Sequence, residues 1–311
     1  MSLTREFSLI ERYFRPLAGP AARGLADDAA VLGVAAGRAL VISADAMNEG
    51  VHFLAGTDPS LIARKLLRVN LSDLAAMGAA PLGYLLTLAL PGGTGDDWFE
   101  SFSAGLARDQ AAFGVTLLGG DSTRIDGPAS LSLTILGTAD DGAAIPRGGA
   151  RPGDGIWVSG TIGDAALGLA ALRGELADPD GALATRYHLP TPRLGLADGL
   201  ASAAIDISDG LFAELGHLCR HSRCGAAMDT SLVPLSAAAL AAGAAWRGTA
   251  LRGGDDYELL MAVAPEREQA LRERAAALGT SVTRIGLFRE GTAEILADGV
   301  PAAAAGWSHF G

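Results

Sequence analysis

The sequence predicts a mixed α and β protein, an α+β arrangement in two domains. Three observations predict it. The chain has 311 residues, 49% of them hydrophobic and only 5% aromatic, which suits a well-cored protein rich in small side chains. Strand-like and helix-like patterns alternate through its first half. A stretch dense in glycine, proline and charge, "DDGAAIPRGGARPGDG" (140–155), then interrupts the alternation. Such a break marks a domain boundary, here dividing 1–140 from 141–311.

The elements follow in order. "ALVISADAM" (39–47) reads as a strand, "PSLIARKLLRVNLSDLAAMG" (59–78) as a helix and "LGYLLTLALP" (82–91) as a strand. "DDWFESFSAGLARDQAAFG" (96–114) is a helix opened by two aspartates, which complement the partial positive charge of a helix N-terminus. "VTLLGGD" and "ASLSLTILGTA" are strands. After the break come the strand "IWVSG", the helix "GDAALGLAALRG" and a polar stretch, "DPDGALATRYHLPTPR". In "AAIDISDGLFAELGHL" (203–218) a strand leads into a helix with Leu211, Leu215 and Leu218 on one face. "SAAALAAGAAW" reads as an alanine-rich helix. "GGDDYELLMAVAP", a helix over 266–278 and a short strand region complete the chain.

Composition excludes several functions. The net charge of −11 disfavours nucleic acid and anionic membranes, both of which select basic surfaces. No apolar run reaches the roughly 18–20 residues that span a bilayer. The first residues, "MSLTREFSLIERYF", are charged where a signal peptide needs an apolar core, so a cytoplasmic location is expected. Two cysteines, Cys219 and Cys224, imply no disulfide framework. The segment "GHLCRHSRCG" places His217 and His221 beside them, but its spacing matches no common zinc pattern.

Aspartates recur beside small residues at chain turns: Asp27 and Asp28, Asp45, Asp73, Asp121, Asp206 and Asp209, and Asp255 with Asp256. A single one is an ordinary helix cap or turn residue, and Ser208 or Asp209 would cap the helix beginning near Leu211. As a series, they would repel one another if they converged without cations. Oxygen-only clusters suit hard cations, Mg²⁺ above all where phosphates complete the shell. The chain has one lysine, Lys65, and no P-loop or protein-kinase motif set. It carries no dinucleotide fingerprint in context, no G-x-S-x-G and no H-E-x-x-H.

Taken in order, "EGVHF", "RVNLSDLAAMGAAP", "GGDSTR", "IDISDGL" and "GGDDYELL" resemble the thiamine-monophosphate kinase family. The resemblance runs from "EFSLIERYF" to the terminal "GWSHF". It implies the wider aminoimidazole-ribotide synthetase-like fold: an N-terminal α/β domain that dimerises through its sheet, and a C-terminal α+β domain completing the active site. It implies Mg²⁺ ligands at Asp28, Ser43, Asp45, Asp73, Asp121, Asp206 and Asp209. Nucleotide contacts would fall on Gly120, Asp121, Arg147 and Ser208, and thiamine-phosphate contacts on His52, Asp255 and Trp307. Read without the family, His52 is a buried histidine bonded to backbone, Arg147 a surface charge and Trp307 a packing residue.

Four positions depart from the family pattern: Ala26 in place of glycine, Ala44 in place of threonine, Arg252 in place of serine, and alanines where some relatives carry an aromatic before "GWSHF". The implied reaction is ATP-dependent phosphorylation of thiamine monophosphate. Its acceptor, a phosphate monoester, is already ionised near neutral pH. No general base is therefore needed, and Asp45, Asp121 and Asp209 would act through bound Mg²⁺ to offset repulsion between the two anions. The rivals are another ATP enzyme of the same superfamily, of aminoimidazole-ribotide synthetase or selenophosphate synthetase type, and a non-catalytic nucleotide- or divalent-metal-binding protein. The selenophosphate type usually has an early cysteine, absent from this N-terminal half.

Overall fold

The computed structural model describes residues 5–308. Met1 to Thr4 lie outside it, as do His309 and Phe310 of the terminal motif. The chain divides into two compact units. One holds residues up to Leu74 together with Ala80–Gly142, and the other holds Ala75–Ala79 together with the chain from Ala143 onward.

The first unit starts with α1 (Arg5–Leu9), which widens into a π-type turn over Ile10–Phe14. Its centre is a four-stranded sheet of β1 (Arg38–Asn48), β2 (Ala80–Pro91), β3 (Thr116–Ile125) and β4 (Ser130–Asp140). The spatial order is β1-β4-β2-β3, with β2 and β3 parallel and the other pairs antiparallel. Two helices of 18 residues, α2 (Pro59–Ala76) and α3 (Asp96–Phe113), belong with it. Leu66, Leu67, Leu71 and Leu74 of α2 and Phe102 and Leu106 of α3 are wholly buried. Gly105 lets the helices touch, since a Cβ there would overlap the backbone of Ser60. The two aspartates do open α3, and left-handed Gly114 (φ 68°) closes it.

Strand alternation decides what the sheet offers on each face. On β1, Val41, Ser43, Asp45 and Met47 lie on the more buried side. Leu40, Ile42, Ala44 and Ala46 are on the exposed one. Ala44 therefore points away from Ser43 and Asp45, so a hydroxyl there would sit on the opposite face.

The second unit is built on a seven-stranded sheet of β5 (Gly155–Ser159), β6 (Ala203–Asp206), β7 (Gly225–Met228), β8 (Leu259–Val263), β9 (Val282–Arg289), β10 (Ile295–Ala297) and β11 (Val300–Ala302). Its order is β11-β10-β7-β9-β5-β8-β6, with only β10 and β7 parallel. The helices are α4 (Asp164–Leu172), α5 (Ala182–His188), α6 (Leu211–Ser222), α7 (Ala237–Ala241), α8 (Arg247–Arg252) and α9 (Glu268–Ala277). As expected, Leu211, Leu215 and Leu218 of α6 are fully buried, packed with Ile156, Val158 and Leu260 of the sheet. A second cluster joins Trp157, Leu196, Met261 and Leu271 to Ala75 and Ala76, which is why the end of α2 belongs to this unit.

One expectation is corrected. The alanine-rich segment is not one helix: α7 stops at Ala241, and Gly243 (φ 90°) turns the chain into a short 3-10 segment leading to α8. Alanine favours helix, but Gly243 in this conformation ends it. The polar stretch after α4 contains α5, whose Leu183 and Tyr187 are buried.

Candidate active site

In the first unit, the loops and strands place the implied residues in two groups. Ser43 and Asp45 share a face of β1. The Ser43 hydroxyl donates to Oδ2 of Asp73 on α2 at 2.5 Å. The Asp45 amide donates to Oδ1 of Asn70, one helical turn earlier, at 3.1 Å. Asn70 is wholly buried and is itself held by the Leu66 carbonyl at 2.8 Å. Burial, and after it the negative charge of Asp73, push the Asp45 carboxyl up to about 7. A pair of carboxylates that resists double ionisation, with a hydroxyl beside it, has the donor set of a hard-cation site. The residues therefore fit Mg²⁺.

His52 follows in the turn after β1. Its Nδ1 accepts the Asn48 amide at 3.0 Å, so a neutral ring carries its proton on Nε2. Lys65, 2% exposed, donates to the His52 carbonyl at 3.2 Å. The second group lines a cavity of about 640 Å³, where Asp28, Gly119, Gly120, Asp121 and Ser122 meet Leu85 and Thr87. Oδ1 of Asp121 accepts the Ser122 amide at 2.8 Å. Gly120 needs its missing side chain, since a Cβ would overlap the Leu86 carbonyl. Asp28 and Asp121 are both exposed.

In the second unit, β6 ends at buried Asp206, and the turn after it carries Ser208 and Asp209. Neither Ser208 nor Asp209 caps α6 as expected; the cap position is Gly210, with no side-chain bond. Instead Glu214 reaches back from the first turn of α6. Its Oε1 accepts the Asp209 amide at 3.1 Å and the Ser208 hydroxyl at 3.4 Å. Glu214 is 3% exposed, and burial pushes its carboxyl up to about 7. The signal was present: Glu214 shares the apolar face of α6 with Leu211, Leu215 and Leu218, an odd place for a carboxylate.

The "GGDDYELL" segment pairs with this turn. The Asp255 amide donates to the Ser208 carbonyl at 2.8 Å and the Tyr257 amide to the Ile207 carbonyl at 2.9 Å. Asp255 (φ 71°) and Tyr257 (φ 51°) both adopt the left-handed conformation that side chains disfavour. The four polar residues then divide by role. Asp255 and Tyr257 are partly exposed, with the Tyr257 hydroxyl 3.4 Å from Oδ1 of Asp255. Asp256 and Glu258 are buried. Asp256 accepts the amides of Gly163 at 2.6 Å and Ala165 at 3.1 Å, at the start of α4. Glu258 accepts from Ser159, Arg186 and Arg193.

Trp307 is 58% exposed, and its amide donates to the Asp209 carbonyl at 2.9 Å. The alanines before it suit this course: Ala304 lies where a Cβ on Gly216 of α6 would be. Arg252 stacks its guanidinium 4.6 Å from the Phe212 ring centroid, an apolar use of the position. Arg147 is exposed, and its charge reaches Glu214 and His217. Cys219 and Cys224 are buried, whereas His221 is exposed and His217 pairs with Arg220. Among the described residues no group of three or more His, Cys, Asp or Glu side chains is placed to hold a metal ion.

The model of the AIR synthase related protein N-terminal domain matches residues 26–139, and that of the C-terminal domain matches 151–298. The thiamine-monophosphate kinase of Caulobacter vibrioides is 47% identical over 92% of this chain and 84% of its own length. This chain belongs to the thiamine-monophosphate kinase family. The Salmonella typhimurium member is 42% identical over 98% of both chains. The crystal structure of the thiamine-monophosphate kinase from Stenotrophomonas maltophilia superposes with a TM-score of 0.83 at 43% identity, covering 89% of this chain and 91% of that one. AaThiL, solved with AMPPCP and TMP, gives a TM-score of 0.79 at 32% identity, covering 91% of each. Membership in the thiamine-monophosphate kinases makes the two-domain mixed fold a family property.

Proposed function

We propose that the chain transfers the γ-phosphoryl group of ATP to thiamine monophosphate, yielding thiamine diphosphate and ADP. The observation that carries this reading is the match to thiamine-monophosphate kinases over nearly the whole chain, including a relative solved in complex with AMPPCP and TMP. The carboxylates and hydroxyl of Asp45, Asp73 and Ser43 would hold Mg²⁺, and the family resemblance implies further ligands at Asp28 and Asp121 in the first unit and at Asp206 and Asp209 in the second. Bound there, Mg²⁺ would supply positive charge against the phosphates.

The chain's own residues do the remaining work by position and charge. Gly120 and Asp121 line the cavity that would take the nucleotide, and Ser208 and Arg147 would be the nucleotide contacts supplied by the second unit. His52, with Nε2–H as donor, and Asp255, as acceptor or counter-charge, orient the thiamine end. Trp307 offers an exposed indole for its rings. No residue has to remove a proton from the acceptor.

The functional molecule is a homodimer in this reading. Leu40, Ile42 and Leu85 stand 40%, 57% and 41% exposed on the outer face of the four-stranded sheet, an apolar patch of the kind that marks an interface. No described helix is long and apolar enough to cross a membrane, and we place the enzyme in the cytoplasm. Coupled measurement of ADP release tests the activity. Turnover with thiamine monophosphate, and none with other phosphate acceptors, is the expected result. Nucleotide binding without turnover overturns it.

A further inference from the structure

We propose that Arg193, acting through Glu258, is a positioning residue for Asp255 and so for the thiamine end of the acceptor. The inference rests on the reading of Asp255 as an acceptor contact.

Glu258 is wholly buried. It accepts from Arg193 at two points, Nε at 2.6 Å and Nη2 at 2.5 Å, from Arg186 Nη2 at 2.7 Å and from the Ser159 hydroxyl at 2.6 Å. Arg193 is anchored in turn by the Thr280 hydroxyl at 2.8 Å. A buried ion pair adds little net stability over well-packed apolar side chains, because desolvation offsets its attraction. What a two-point guanidinium bond does provide is a fixed orientation. The backbone is shaped to admit it: Gly160 has φ +57°, and a Cβ there would overlap Glu258 and crowd Arg193.

The orientation is needed three residues away. Asp255 and Tyr257 are held left-handed without being glycine, a state that persists only where surrounding bonds over-determine it. Those bonds come from both sides. Asp256 is tied to the start of α4, and Glu258 to the two arginines. The Glu258 carbonyl also accepts the Ile207 amide at 2.8 Å, so the side chain that fixes Glu258 registers the ladder ending at Asp255. The neighbouring turn has separate anchors: Glu214 holds Ser208 and Asp209, and Trp307 holds the Asp209 carbonyl. Ser208, next to Ile207 on the same ladder, keeps its Glu214 anchor when the Arg193 bond is lost, so the displacement falls mainly on Asp255.

The test varies ATP and thiamine monophosphate separately in steady-state kinetics of Arg193→Met, Arg193→Lys, Asp255→Asn and the Arg193→Met, Asp255→Asn double variant. Arg193→Met is expected to raise KM for thiamine monophosphate about tenfold and that for ATP less than about twofold. Arg193→Lys, with charge but no fork, restores it only in part, and carries the same comparison if the methionine variant does not fold. The double variant should match Asp255→Asn alone, because both act through one contact. An unchanged acceptor KM in both Arg193 variants overturns this inference alone, provided Asp255→Asn raises it. Equal rises for both substrates, or additive effects in the double variant, also overturn it. No effect of Asp255→Asn removes the underlying reading and this inference with it.

Discussion

The hydroxyl of Ser43 donates to Oδ2 of Asp73 at 2.5 Å, which ties β1 to α2 and brings Asp73 beside the second carboxylate on that strand face, Asp45. Two acids at that place oppose each other unless a cation joins them. Asp45→Asn removes one charge and keeps the backbone amide that Asn70 accepts. In the metal-free protein the substitution is expected to leave melting temperature unchanged or raise it. If Asp45 holds Mg²⁺ as proposed, the substitution should also lower kcat at least about a hundredfold, because the cation that offsets the phosphoryl charge loses a ligand. Thermal melts in chelator, set beside turnover in Mg²⁺, give the answer. A variant that both melts earlier and turns over normally contradicts the role.

Glu214 gathers two bonds from the neighbouring turn, one from the Asp209 amide and one from the Ser208 hydroxyl. Glu214→Ala leaves the half-buried Asp209 amide without this acceptor, at a cost of up to about 1–3 kcal/mol. The turn carrying Ser208 then loosens, and KM for ATP should rise by about tenfold while that for thiamine monophosphate changes less. Glu214→Gln keeps a carbonyl oxygen for the amide and should recover most of the stability. Urea denaturation and steady-state kinetics on the two variants together separate the structural share from the functional one.

Much of this was legible in the residues. Alternation in "ALVISADAM" gave β1, and with it the shared face of Ser43 and Asp45. The leucine spacing after Gly210 gave α6 and its buried side. What escaped was tertiary. Pairing between Glu258 and two arginines from "DPDGALATRYHLPTPR" joins segments 65 and 72 residues apart, and a polar, proline-containing stretch carries no local sign of such a partner. The left-handed backbone at Asp255 and Tyr257 was equally hidden, because neither residue type announces that conformation. Within "GGDDYELL", only the folded chain separates outward Asp255 from Asp256, which spends its carboxylate on the start of α4.

The cysteines lend themselves to a direct measurement. Burial, with the nearby Cys224 adding to it, pushes the Cys219 thiol up to about 12, and burial also raises Cys224. Thiolate is the reactive form. In the native protein at pH 8, both should react with an aromatic disulfide reagent at least about a thousandfold slower than free cysteine. Two thiols per chain should titrate after unfolding, the number in the sequence. Rapid native labelling would mean an exposed, activated thiol and would reopen a redox or metal role for this segment.

Asp256 makes the fold itself sensitive to pH. Burial pushes its carboxyl up to about 8, against the opposing pull of the Gly163 and Ala165 amides. An unfolded aspartate titrates near 4, so below about pH 4 both states hold the proton. Between about 4 and 8 the folded state binds more protons than the unfolded one, and stability falls as pH rises. Above about pH 8 the contribution is constant. Asp256→Asn abolishes this titration, and its amide satisfies only one of the two N–H donors, so the variant starts out less stable. The gap between wild type and variant should therefore be widest near pH 5 and shrink towards pH 9. Urea denaturation at fixed pH across that range measures it. A gap that stays constant from pH 5 to pH 9 would mean that the two amides outweigh burial and that the carboxylate is already ionised in the fold.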